Sequence, residues 1–147
     1  MDKYTVTADG VALVAATAKT VLNIASPATI RMRVTGIQIS FDGVTAGNAP
    51  VLVELLRQTS AGTVTAVTPA ATDPAAPAAL GTAGKNASAE PTGPTVIKTF
   101  RLSPNGGTAF VPLVGADMIT VPVSGFFGIR CTAANNVNCN AEIAYLA

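Results

Sequence analysis

Apolar residues recur at every second position along most of this chain, the spacing of half-buried β-strands rather than of helices. The stretch IRMRVTGIQISF (30–41) is the clearest case: Ile30, Met32 and Val34 alternate with Arg31, Arg33 and Thr35. After Gly36 the apolar set becomes Ile37, Ile39 and Phe41. A one-residue slip at a glycine predicts a β-bulge. Further strands are predicted for YTVTA (4–8), TVLNIA (20–25), PVLVELLRQ (50–58), TVIKTFRLS (95–103), TAFVPL (108–113), MITVPV (118–123), FFGIRCTA (126–133) and VNCNAEIAYLA (137–147). Turns are predicted at Asp9–Gly10, Asp42–Gly43 and PNGG (104–107). Pro112 and Pro122 mark edges or bulges, because proline cannot donate to a central ladder. The alanine-rich stretch 10–22 reads as strand and loop, between the DG turn and a β-branched run. Eight or nine short strands without a helix predict an all-β, jelly-roll-like β-sandwich, a single domain spanning 1–147.

Two stretches break the pattern. PVLVELLRQ is apolar on both faces except at Glu54 and Arg57, which places it at a sandwich centre or under another subunit. Glu54, mid-strand, either pairs with Arg31, Arg33 or Arg130 or faces outward at an edge. The segment 60–94 holds five of the ten prolines and eleven alanines, with no aromatic residue. A loop of that length without structure of its own is uncommon in a compact domain. Both its flanks belong to the sandwich, so it must leave the body and return. It reads as a long loop or arm that lies along a neighbouring subunit, or as a plain surface loop over the sandwich edge.

Charged residues make up 12% of the chain, few enough to suggest surface buried against other chains. No stretch approaches the ~18–20 apolar residues of a membrane helix. The N-terminal MDKYTVTADGVALVAATA is a poor signal peptide: its apolar run is short and interrupted by Asp9 and Gly10. A net charge of +1, with the nine cations spread along the sequence, argues against a nucleic-acid partner. The absence of tryptophan leaves sugar-stacking and base-stacking sites poorly supplied.

The chain has no histidine, which removes Ser-His-Asp and Cys-His chemistry and the usual neutral-pH base. Most of the eight carboxylates fall at turns or in the 60–94 segment, and no two are placed by sequence on one concave face. The expectation is no enzymatic activity, no cofactor and no metal. SPNGGT lacks the lysine of a phosphate loop, and DGVTAGN (42–48) lacks calcium-loop spacing. Asn86–Ala87–Ser88 matches a glycosylation acceptor, which matters only in a secreted eukaryotic protein. Cys131 and Cys139 would face each other if 127–133 and 137–145 formed a hairpin through 134–136. A disulfide is then within reach, and so is a pair of buried thiols.

YTVTADG, ATAKTVLNI, GIQISFDGVTAGNAPVLVELLRQT, TPAATDPAAPAA and SAEPT together resemble small virion structural proteins of tailed bacteriophages, the capsid decoration or cement proteins. The resemblance implies a non-enzymatic all-β protein made in the host bacterial cytoplasm. It would sit on the virion's capsid surface, bound to the major capsid protein, as a trimer or other cyclic homo-oligomer. Contacts with neighbours are expected from Met1–Asp9 and the 60–94 segment, with Asp2, Lys3, Tyr4, Pro69, Asp73, Pro74, Pro77 and Leu80 as candidates. The alternative is a tail or surface module of the adhesin type that binds a receptor or carbohydrate.

Overall fold

In the computed structural model, which describes residues 1–43 and 47–147, two antiparallel six-stranded sheets pack face to face as a β-sandwich. Twelve strands follow in order: β1 (Lys3–Leu13), β2 (Lys19–Ala25), β3 (Met32–Asp42), β4 (Val51–Gln58), β5 (Thr63–Val67), β6 (Ala70–Ala71), β7 (Thr82–Ala89), β8 (Thr95–Leu102), β9 (Thr108–Pro112), β10 (Ile119–Val121), β11 (Phe126–Thr132) and β12 (Val137–Leu146). The first sheet runs β10-β3-β12-β1-β6, with β9 also paired to β3, and the second runs β5-β7-β2-β11-β4-β8. One 3-10 turn, Gly115–Asp117, joins β9 to β10.

The alternation read from sequence sets which side chains turn inward. Val6, Leu13, Leu22, Ile24, Ile37, Phe41, Phe127 and Ile143 meet between the sheets. The slip in β3 is a bulge. Ala144 of β12 opposes Gly36 and Tyr145 opposes Val34, leaving Thr35 as the extra residue. A Cβ built at Gly36 would meet the Phe110 ring at 3.7 Å, an ordinary contact, so the glycine serves the bulge rather than the packing. Asp9–Gly10 is a bulge too, rather than the predicted turn. β1 continues through it to Leu13, with Ala8 opposite Ala141 and Val11 opposite Cys139. Gly10, at φ 65°, takes the left-handed conformation there, and its N–H donates to Asn140 Oδ1 at 2.7 Å.

The segment 60–94 departs most from expectation. It is no unstructured arm: β5 and β7 form one end of the second sheet, and β6 pairs with β1 in the first. Small residues line this part of the sheet: Ala83 and Ala87 are buried, and a Cβ built at Gly84 would come within 2.2 Å of the Val64 side chain. The neck of the segment is zipped, with Thr59 N–H donating to Thr92 O at 2.8 Å and Thr92 N–H to Ser60 Oγ at 3.0 Å. Gly62 sits in this neck at φ 66°, where a Cβ would come within 2.4 Å of Ala89 O.

The neck lies over the outer face of the second sheet. Asn23 Nδ2 donates to Ala61 O at 3.0 Å, and Thr20 gives its N–H and its hydroxyl to Glu90, both at 2.6 Å. Gln58 Nε2 completes the network on Thr20 Oγ1 at 3.1 Å. Sequence places the two-faced strand β4 at a sandwich centre or under another subunit. It lies between β11 and β8. Its outward-facing Leu56 and Gln58 are buried, Gln58 within the network that anchors the chain's own neck.

Candidate functional site

The predicted hairpin of 127–133 with 137–145 does not form. β11 lies between β2 and β4 in one sheet, and β12 lies between β1 and β3 in the other. Both edges of both strands are therefore occupied, and the link 133–136 crosses from sheet to sheet. Cys131 and Cys139 turn into the core from opposite sheets as free, buried thiols. The hydrogen bond with Cys139 and then burial push the Cys131 thiol well above its usual value, with further contributions from the charges of Cys139 and Glu54.

Glu54 meets Arg130, directly opposite it on β11, in a two-pronged ion pair: Nε to Oε1 at 3.0 Å and Nη2 to Oε2 at 3.2 Å. The two side chains retain 13% and 23% exposure. Glu54 thus pairs with Arg130, one of the three arginines the sequence offered, on a strand that is not at an edge.

The N-terminal candidates fare unevenly. Tyr4 is buried to 3% exposure and stacks on Tyr145, with ring centroids 5.7 Å apart. Its hydroxyl donates to Pro77 O at 2.8 Å. Its ring and its hydroxyl are thus both engaged within the chain, unlike the surface contact expected of it. Asp2 pairs through its main chain with Ala147, and the carbonyl of Lys3 accepts from Thr72 N–H and its hydroxyl. Pro69 is half-buried. Asp73 caps Ala75 N–H at 2.8 Å, and with Pro74, Pro77 and Leu80 it remains on the surface. A groove of about 400 Å³ runs between Tyr4, Pro69 and Pro77.

Burial, and secondly the charge of Tyr4, push the Tyr145 phenol up to about 12 from its ordinary value of 10. Between those values the native state keeps a proton that the unfolded chain has lost. The stability this residue contributes is thus complete below pH 10 and lost as pH rises through 12. The raised Cys131 thiol acts in the same direction from about pH 9 upward. Urea midpoints measured from pH 8 to 12 should fall steeply across the upper part of that range, and Tyr145→Phe should flatten the fall above pH 10.

Two carboxylates do share a concave face, contrary to expectation. Asp9 and Glu142 line a shallow depression of about 290 Å³ on the outer face of the first sheet, with Gln38, Ser40 and Asn140. The Asp9–Gly10 bulge brings them together, and a turn at that position would not have done so. Asn140 is held there by Gly10 N–H and by its own bond to Asp42 Oδ2 at 3.1 Å. Among the described residues, no three His, Cys, Asp or Glu side chains gather as a metal site, and no helix is long and apolar enough to cross a membrane. The stretch 42–48 includes 44–46, which lie outside the described residues.

The exposed apolar surface gathers elsewhere. β8 ends the second sheet, and β9 and β10 line the free side of β3 in the first. These edges lie on the same side of the sandwich. Between them opens a cleft of about 420 Å³ walled by Arg57, Ile97 and Lys98 on one side and by 116–120 on the other. Val96 and Ile97 on β8 are 42% and 38% exposed, while Phe110 on β9 and Val114 beyond it reach 66% and 70%. Sequence reasoning missed this edge. Its signals were Pro112 and Pro122, read as marking edges or bulges, which end β9 and follow β10, and the adjacent aliphatics of TVIKTFRL. Comparison with family models, with curated proteins and with solved structures returned no match.

Proposed function

We propose that this protein is a structural component of a tailed-phage virion. In this reading it docks on the outside of the capsid, cements neighbouring major capsid protein subunits, and acts as a trimer or other cyclic homo-oligomer. The supporting observation is the sandwich edge built from β8, β9 and β10, where Val96, Ile97, Phe110 and Val114 stand exposed beside an unpaired strand. Exposed apolar side chains beside an unpaired strand edge mark interaction sites on soluble proteins. A standard interface of about 800 Å² per partner buries enough of it to hold each copy in place. The exposed tip of the 60–94 segment, at Asp73, Pro74 and Leu80, supplies a second contact on the opposite side.

The test is addition of purified protein to capsids that lack it, followed by imaging and heating. Saturable, stoichiometric binding and a higher temperature of shell rupture are expected. Capsids that stay bare at high protein concentration would refute the reading.

A tail or surface module binding carbohydrate is a second reading with one specific observation behind it. Register places exposed Phe110 opposite Gln38, Gln38 opposite Glu142 and Glu142 opposite Thr7, in one row beside the polar depression. Retention on a glycan array, lost in Phe110→Ala, would favour it over the capsid reading.

A further inference from the structure

We infer that Cys131 and Cys139 form a conditional staple between the two sheets, open as a pair of thiols and closed by oxidation to a disulfide. This staple would operate whether or not the capsid reading holds. Cys131 lies next to the end of β11 and Cys139 is the third residue of β12, on either side of the link 133–136 that crosses between the sheets. A second crossing, 14–18 between β1 and β2, runs alongside it. Ala16 N–H donates to Ala133 O at 2.7 Å, and Ala15 N–H donates to Asn136 Oδ1 at 2.9 Å. Beneath these bonded crossings Cys131 opposes Lys19 of β2, and Cys139 opposes Val11 of β1. The sheets are thus held together at this end. The two cysteines, both fully buried, turn inward from opposite sheets and hydrogen-bond to each other. No other cysteine is present in the chain, so each sulfur has one possible partner within it.

Closure takes one hydrogen from each sulfur and forms one S–S bond. The oxidant is a small organic disulfide. One cysteine sulfur, as thiolate, attacks it and expels a thiol, and the other cysteine then displaces the second thiol from the mixed disulfide. The small disulfide thereby accepts the two electrons and leaves as two thiols. The hydrogen bond to Cys139, and then burial, hold the Cys131 thiol above its usual value and keep the pair inert while this end of the sandwich is closed. The oxidant enters from the end itself. There the crossing 14–18 is exposed, and a depression of about 150 Å³ lies between Leu13, Val14, Asn136 and Val137. Leu13 opposes Val137, and the Val11–Cys139 pair follows on the inward face. Reducing surroundings keep the pair open, and oxidising ones close it.

The test incubates the whole folded protein with hydroxyethyl disulfide or with dithiothreitol, then counts free thiols by alkylation in urea and mass measurement. The disulfide-treated chain should lose both thiols together, without joining one chain to another and without retaining an adduct. Its urea midpoint should stand about 1 M or more above that of the reduced chain, and dithiothreitol should reverse the shift. Cys131→Ala and Cys139→Ala should each abolish the shift. If neither variant folds, the thiol count and the midpoints of the wild-type chain decide alone. Both thiols still open to alkylation after prolonged oxidation, a stable mixed adduct, chains bridged to one another through these residues, or an oxidised midpoint at or below the reduced one would overturn the inference.

Discussion

Tyr4→Ala should lower the stability of the folded chain by about 3–5 kcal/mol, the range for deleting a large buried aromatic ring. Three losses combine. The ring leaves a cavity in the core cluster beside Tyr145, its partner at 5.7 Å. The stacked pair itself is worth about 0.5–1.5 kcal/mol beyond area burial. The hydroxyl no longer holds Pro77 O, a bond that spans 73 positions of sequence. Tyr4→Phe isolates this last contribution and should cost only about 1 kcal/mol. Urea unfolding separates the two variants: Tyr4→Ala should shift the midpoint by at least about 1 M, given slopes of about 1–3 kcal/mol per molar. Limited proteolysis then reports the local consequence, with faster cutting between Thr72 and Leu80 in both variants. A Tyr4→Ala midpoint within error of the wild type would mean that the ring is not held in the core.

Arg130→Ala comes next, at about 2–3 kcal/mol. A fully buried ion pair broken on one side costs about 3–5 kcal/mol because a charge is left without compensation. Here the residual exposure of 13% and 23% lets water relieve part of that. Glu54 would remain mid-strand beside Leu52 and Leu56 of its own β4, with no second cation bonded to it. The double variant Glu54→Leu/Arg130→Met should recover most of the loss, since apolar residues of similar size often replace such pairs without penalty. The coupling energy from the full cycle of single and double variants, read by thermal unfolding, should be about 1–3 kcal/mol. Additive effects would mean that the two side chains act independently.

What was legible in the sequence was local. The phase slip beside Gly36 gave the β3 bulge because a bulge is written in consecutive residues. Pro112 and Pro122 located edge positions because each lacks an N–H to give. The partner of Glu54 stood among three candidate arginines because a mid-strand carboxylate needs a cation. Neighbourhood was not legible. Alternation says that Cys131 and Cys139 face inward but not whether their strands lie side by side or in opposite sheets, and the second proved true.

The 60–94 segment misled for a related reason. Its alanines, threonines and glycines carry too little apolar area to announce strands. What holds it comes from isolated contacts such as Glu90 to Thr20 and Asn23 to Ala61, which span 70 and 38 positions. No periodicity records a contact of that kind. Tyr4, expected on the surface with the rest of Met1–Asp9, instead lies directly across the ladder from Tyr145, and no local pattern pairs the two ends of a chain.

The 60–94 segment belongs to both sheets, through β6 on one side and through β5 and β7 on the other. Layers joined only by loops at their ends can slide past one another under shear. Here a continuous piece of backbone, hydrogen-bonded into each layer, wraps the side of the stack like a clasp. A load applied across the two layers would have to peel this clasp before they could slip, so resistance to mechanical rupture is built into the topology as well as the core.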